Sequence, residues 1–256
     1  MNSSTPAKKS LGQHFLNNAS TLRKIIESSG VKKDDIVIEI GPGHGVLTQS
    51  LAKKGVLLTS IELDRDLIAE LTKKFASHKN VKILQGNALD FTPPKTPYHI
   101  VANIPYYITS PLINHFLREQ PADQRPQTIT LLVQKEVAQK ICAKPGDLSV
   151  LALQVLLFGT PKIIDNVPAS HFSPPPKVDS AILHIEIKKP PLAEKDIRRF
   201  FTLVHVGFAH KRKKLIRNLE SVLPKEKLQT LFKKMGLSEN ARAEELNLLE
   251  WTNFLA

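Results

Sequence analysis

The sequence predicts an α/β fold with a mainly parallel sheet, followed by a small all-helical C-terminal domain. Short β-rich apolar runs alternate with amphipathic segments through the first two thirds of the chain, the pattern of βα units. A glycine-rich loop separates the first run from the first amphipathic segment, and from Lys188 onward strand signals cease. Strands are expected at 36–40, 57–63, 81–85, 99–103 and 128–133, with helices at 46–54, 65–77, 111–118 and 135–143 between them. A later pair, 162–167 and 179–187, flanks a proline-rich loop and reads as an antiparallel hairpin added at the sheet edge. Pro190 and Pro191 then punctuate the chain, and helix-period stretches follow at 193–209, 211–222, 225–235 and 242–255. The expected domains are therefore 1–188, including an N-terminal arm, and 189–256.

Composition excludes several classes. With 41% apolar and 23% charged residues the chain is globular, neither disordered nor fibrous. Its longest mostly apolar run, 150–158, is interrupted by Gln154 and falls short of the ~18 residues a bilayer span needs. No apolar stretch follows Lys8 and Lys9 as in a signal peptide, so the cytoplasm is the expected location. A single Cys, Cys142, excludes an intramolecular disulfide and a Cys-based zinc site, and reads as a small core residue. The nine His form no carboxylate-supported pair at helical spacing, so no metal site is expected.

The formal charge of +12 points to a polyanionic partner. Residues 1–180 and 181–256 each carry net +6, so the last part is more than twice as densely positive. Five cations fall within seven residues in Lys211-Arg212-Lys213-Lys214-Leu215-Ile216-Arg217, at the expected start of a helix. Cations there oppose the helix dipole, and phosphate contact gives that cost a purpose.

Three strand ends carry candidate chemistry. Glu39-Ile40-Gly41-Pro42-Gly43-His44-Gly45 follows the first strand and opens a helix, where glycines let a ligand approach backbone N–H groups. Its spacing departs from a dinucleotide fingerprint, since Val46 stands at the third glycine's place. Glu62 follows Gly41 by 21 residues at the next strand's carboxyl end, where a carboxylate accepts from both hydroxyls of a ribose. Asn87, at the end of the third strand, either receives an adenine amino group or serves as a turn residue. The fourth strand ends Asn103-Ile104-Pro105-Tyr106-Tyr107. The exocyclic amine of adenine is a poor nucleophile because its lone pair is delocalised into the ring. Asn103 Oδ1 and the Ile104 carbonyl can hold its two N–H bonds, Pro105 fixes the bend, and Tyr106 offers a ring for a flipped base.

On these segments, together with Ser10-Leu11-Gly12-Gln13-His14-Phe15-Leu16 and Phe172-Ser173-Pro174-Pro175-Pro176-Lys177-Val178-Asp179-Ser180, the chain resembles the ribosomal RNA adenine N6-dimethyltransferases. The small-subunit (16S rRNA) branch fits better than the large-subunit macrolide-resistance branch. The resemblance covers nearly the whole chain and implies a Rossmann-like fold using S-adenosylmethionine. It implies cofactor contacts from His14, Leu16, Gly41, Gly43, Glu62, Asn87 and Asn103, and stacking of Phe172 on the target adenine opposite Tyr106. Lys211, Arg212, Lys213 and Arg217 are expected to meet RNA, and Lys177 either contacts phosphate or braces its loop. The family commonly has Asn where His14 stands and Asp where Asn87 stands. The implied partner is 16S rRNA in the small ribosomal subunit, the implied role subunit maturation, and a monomer is expected. A non-catalytic assembly factor and a nicotinamide-dependent oxidoreductase are the readings from other classes.

Overall fold

The computed structural model describes residues 8, 11–210 and 212–255. Its main sheet runs in the order β4-β3-β2-β5-β6-β9-β7, built from β2 (Ile36–Ile40), β3 (Leu57–Glu62), β4 (Val81–Gln85), β5 (His99–Asn103), β6 (Thr128–Gln134), β7 (Gly159–Val167) and β9 (Ser180–Ile187). The strands from β4 to β6 are parallel to their neighbours, while β9 runs antiparallel to β6 from Ser180↔Gln134 to Glu186↔Thr128. Strands β2 and β6 are almost wholly buried, as expected of parallel strands covered by helices on both faces.

Chain order matters more to function than strand count. From β2 the chain passes outward to β3 and β4, then returns to place β5 on the other side of β2. That reversal makes the crevice beyond the carboxyl ends of β2 and β5 the place where open α/β sheets bind ligands. Helices α2 (Val46–Lys54) and α3 (Arg65–Phe75) follow β2 and β3 directly, so their N-termini open at this edge. Asp64 caps α3 by accepting from Asp66 N.

The arm adds two elements outside the expected set. Helix α1 (Ala19–Ser29) is capped by Asn18, and strand β1 (Phe15–Leu16) pairs antiparallel with β8 (Phe172–Ser173). Leu16 and Phe172 face each other in this pair and join a buried cluster with Ile25, Val37, Leu58 and Val101. The expected helix at 111–118 is α4 (Thr109–Asn114), continued by a π-helical turn at His115–Glu119.

By internal contacts the chain forms two compact units: the chain up to Ala138 with Thr160–Ile187, and Gln139–Gly159 with the chain from Lys188. The second thus resumes at Lys188 but also takes in 139–159, which sequence reasoning gave to the first domain. Its reason is α6 (Val150–Phe158), the longest apolar run, which has no polar face and is buried nearly throughout. Helices α7 (Glu194–Phe208), α8 (Leu215–Leu219), α9 (Lys225–Met235) and α10 (Leu248–Asn253) complete this unit, with α5 (Lys135–Ile141) crossing the division. The expected 211–222 helix is only α8, so Arg212 and Lys213 stand in a turn before it and Lys214 at its N-cap. The 242–255 stretch breaks at Asn247, whose side chain caps α10 in a capping box with Glu250. Cys142 is half-buried, not core.

Trp251 is fully buried and lies near-parallel to Phe208, ring centroids 5.8 Å apart. It reaches that position because Gly207 has no side chain: a Cβ there would run into Trp251 Cη2 and sit 2.9 Å from Leu215 Cδ1. Gly207→Ala should therefore lower stability by about 1–3 kcal/mol through overpacking, despite its better helix propensity. Thermal unfolding followed by Trp251 fluorescence measures this, and an unchanged or raised Tm would contradict the packing.

Candidate active site

A cavity of about 890 Å³ opens at the carboxyl edge of β2–β5. Its floor is made by the glycine loop after β2, Glu62 and Leu63 after β3, Gly86–Leu89 after β4 and Asn103–Ile108 after β5. The arm residues Leu11–Asn17 and the Ser173-Pro174 segment also line it.

The turn Glu62-Leu63-Asp64 ties these walls together. Glu62 Oε2 accepts from Gly43 N at 3.1 Å and its Oε1 from Asp64 N at 2.9 Å, fixing the carboxylate against the glycine loop. Burial raises the Glu62 pKa, opposed by these two N–H bonds. Gly43 has φ of 58°, and a Cβ on it would meet the Phe15 ring at 2.9 Å, so only glycine serves this turn beneath the arm. Asp64 holds the arm itself: Lys8 Nζ lies 2.6 Å from Asp64 Oδ1 and 2.6 Å from Asp66 Oδ2, and Gln13 Nε2 donates to Asp64 Oδ2 at 3.0 Å. Burial works against the Asp64 charge, but the bonds from Lys8, Gln13 and Asp66 N hold its carboxyl below the ordinary carboxylate range.

At the end of β5, Asn103 Nδ2 donates to the backbone carbonyl of His14 at 3.2 Å. The amide nitrogen is thus committed to the arm, and Oδ1 is the end left as an acceptor. Ile104 is buried beside it. The Tyr106 hydroxyl is 2.7 Å from Ser180 Oγ, and burial raises its pKa, so the ring stays a neutral phenol. The His14 ring lies near-parallel to that of Tyr106, at 21° with centroids 5.9 Å apart, and its Nδ1 is 2.8 Å from Pro174 O. A carbonyl can only accept, so Nδ1 carries the hydrogen.

The structure brings His14, Leu16, Gly41, Gly43, Glu62, Asn87, Asn103, Ile104 and Tyr106 to one cavity. It does not bring Phe172 there. That ring is 3% exposed and packed in the core across from Leu16. In a strand, alternate side chains face opposite ways, and here Phe172 turns inward while Ser173 is exposed. The rest of that motif is bracing: Pro174 holds His14, Ser180 holds Tyr106, and Asp179 Oδ1 accepts from Ala169 N at 3.1 Å. Lys177 is exposed. Asn87 makes the bonds of a turn residue, its Oδ1 accepting from Leu89 N at 3.1 Å, with one lone pair left over. Of the basic segment, Arg212 and Lys213 are exposed, Arg217 pairs with Glu220 at 3.2 Å, and Lys211 lies outside the described residues. Among the described residues no cluster of His, Cys, Asp and Glu could hold a metal ion, and no helix is long and apolar enough to cross a membrane.

Sequence reasoning missed Glu39. It is 1% exposed, and its Oε2 accepts from Thr48 Oγ1 at 2.7 Å and Ser60 Oγ at 2.6 Å, while Oε1 has no partner. The available signal was an acid inside the apolar strand Ile36-Val37-Ile38-Glu39-Ile40. Burial pushes its pKa from 4.5 to about 7, with the two hydroxyls opposing. Because the folded value is the higher, the stabilisation is complete below pH 4.5 and is lost as pH rises through about 7. Glu39→Gln, neutral throughout, should gain on the wild type by as much as roughly 3 kcal/mol across that window. Urea midpoints at pH 4.5 and 7.5 give the comparison, and parallel stability curves would contradict it.

The ribosomal RNA adenine dimethylase family matches residues 5–255. A ribosomal RNA small subunit methyltransferase A from Dehalococcoides mccartyi is 39% identical, the alignment covering 96% of this chain and 86% of that protein. One from Caldanaerobacter subterraneus is 38% identical over 96% and 95%. Among solved structures, a dimethyladenosine transferase from Plasmodium falciparum superposes with a TM-score of 0.79 at 27% identity, covering 94% of this chain and 95% of that one. The 23S rRNA methyltransferase ErmE gives 0.77 at 27%, covering 94% and 98%. The sheet whose order reverses between β2 and β5, the cavity at that reversal and the full-length match agree: this chain belongs to the ribosomal RNA adenine dimethylases, Rossmann-like enzymes that use S-adenosylmethionine.

Proposed function

We propose that the protein dimethylates N6 of two adjacent adenosines in the 3′-terminal hairpin loop of 16S rRNA, within the small ribosomal subunit, and so contributes to subunit maturation. The observation that carries this is Asn103, whose amide is oriented by the His14 carbonyl so that an acceptor is left on the wall of a cavity shared with Glu62. Relatives at 35–40% identity that bear small-subunit methyltransferase names support the 16S substrate, against 27% for the 23S enzyme.

The cavity fits a nucleoside cofactor. Glu62 is a buried carboxylate with two backbone N–H bonds and lone pairs left for a ribose diol, and its volume lies in the range usual for small-molecule sites. The glycine loop, Leu16 and Asn87 are its further holding groups. When bound, S-adenosylmethionine supplies an electrophilic sulfonium methyl group. Asn103 Oδ1 and Ile104 O accept the two N–H bonds of the adenine amine and direct its lone pair. Because the amine is neutral, no side chain has to remove a proton before attack. Tyr106 supplies an uncharged stacking face, and the arm held by Asp64 excludes water from the cavity.

Asn103→Ala should abolish methyl transfer to unmethylated small subunits, a loss of at least a hundredfold on the order of a removed preorganised polar group. Equilibrium binding of the cofactor should weaken far less. Transfer at the wild-type rate would remove the proposed role of Asn103. Arg212 and Lys213 are exposed, which supports a role for them in meeting RNA phosphate. Replacing both with Ala should lower the slope of log affinity against log salt by about 2; an unchanged slope would mean that this turn does not meet phosphate.

A further inference from the structure

Resting on the adenine-methylation reading, we propose that His115 is a positioning residue: its imidazole fixes the turn that carries Asn87 to the helix that begins beside Tyr106, and so sets the wall that holds the cofactor's adenine. After β4 the chain makes a single 3₁₀ turn at Ala88–Asp90, capped by Asn87, and Gly86, Asn87, Ala88 and Leu89 line the cavity. Among the described residues, two bonds tie this segment to its surroundings. At its near end Gly86 N donates to Glu62 O at 2.9 Å, and at its far end His115 Nε2 lies 2.8 Å from Phe91 O. A carbonyl can only accept, so Nε2 carries the hydrogen and donates it. The segment's other bonds are internal: Asn87 Oδ1 accepts from Leu89 N, Asn87 Nδ2 donates to Asp90 Oδ2, and Asp90 N donates to Asn87 O. Local bonds of this kind shape a turn but do not place it.

His115 serves as the tether because of where it stands. The segment after β5 runs through a 3₁₀ turn at Tyr106–Ile108 into α4, and the π-helical turn His115–Glu119 continues α4 without a break. Leu112, Ile113, Phe116 and Leu117 are wholly buried, so this stretch is anchored as one piece. His115 is itself 8% exposed, and a buried imidazole needs partners. Its Nδ1 is 3.1 Å from Glu119 Oε2, and Gln120 Nε2 lies against the ring edge, 3.4 Å from Nδ1 and 3.3 Å from Nε2. These neighbours fix the ring on the helix side and leave Nε2 as a set donor aimed at the Phe91 carbonyl. Single π-helical turns recur at functional sites, and here the turn carries the histidine that reaches the cavity wall.

The test compares His115→Phe, which keeps an aromatic ring and loses the donor, with His115→Gln, whose amide nitrogen can stand where Nε2 does. It measures the equilibrium Kd for S-adenosylmethionine, amide hydrogen exchange at Leu89 and Asp90 in the cofactor-free protein, and KM for unmethylated small subunits at saturating cofactor. His115→Phe should raise the cofactor Kd by about fivefold, the weight of one hydrogen bond, and speed exchange at both amides, with KM for the subunit changed less than about twofold. His115→Gln should restore both Kd and exchange. Because His115 acts through the turn, its effect should vanish when Asn87 is gone: the His115→Phe, Asn87→Ala double variant should bind the cofactor at most about twofold more weakly than Asn87→Ala alone. Gly207→Ala, which lowers Tm from within the helical unit, should leave the Kd unchanged and so reports lost stability by itself. An unchanged Kd in His115→Phe, failure of His115→Gln to rescue, or additive losses in the double variant would each overturn the inference. A wild type that binds the cofactor but transfers no methyl group to small subunits contradicts the proposed function itself, whereas normal wild-type transfer with an indifferent His115→Phe contradicts only the positioning role.

Discussion

The three-residue turn Glu62-Leu63-Asp64 is the constraint on which the site depends. Its two carboxylates hold opposite walls: Glu62 binds the glycine loop through Gly43 N, and Asp64 binds the arm through Lys8 and Gln13. Both are buried, and a buried carboxylate is tolerable only when hydrogen bonds replace its water. Here they come from backbone N–H groups, a lysine and a glutamine, so the cost of burial is offset by bonds that position the loops. The arm then reaches across the β5 end, where His14 O orients Asn103 and the His14 ring meets Tyr106.

This arrangement separates two electrostatic tasks. The polar groups at the β5 end are uncharged: an amide, a carbonyl, and a phenol whose burial keeps it protonated against the opposing pull of the Ser180 bond. A neutral slot suits a neutral base amine, and the site's carboxylates are tied to the glycine loop and the arm. The positive charge is densest in the last 76 residues, and Arg212, Lys213 and Lys214 are exposed there. Under the proposed function, polyanion attraction falls to this turn, because phosphate contacts position RNA and carry no base specificity.

Much of the fold was legible in the sequence because its central strands are short, apolar and bounded by turn residues. Strands 36–40, 81–85 and 99–103 agree residue for residue with β2, β4 and β5. Helix α6 was not legible, since a helix buried all round carries no 3.6-residue contrast. Nor was the β1–β8 pair: two-residue strands lie far apart in the chain and have no pattern of their own, only partners. The same gap accounts for Phe172. Its motif marked the segment as part of the site, but which side chain of Phe172-Ser173 turns inward is fixed by pairing with Leu16. The residues ending β2 to β5 were legible because chemistry in an open α/β sheet gathers at carboxyl ends. Glu39 was visible as an acid within an apolar strand, but its significance lies in Thr48 and Ser60, which only the folded chain brings to it.

The central claim is that this cavity methylates two neighbouring adenosines of small-subunit RNA. The most direct measurement incubates the intact protein with unmethylated small subunits and isotopically labelled S-adenosylmethionine, then maps the labelled nucleotides by mass spectrometry of RNA fragments. The account predicts four methyl groups per subunit, two on N6 of each of two adjacent adenosines in the 3′-terminal hairpin of 16S rRNA. Label on any other nucleotide or on large-subunit RNA, or none at all, would contradict it.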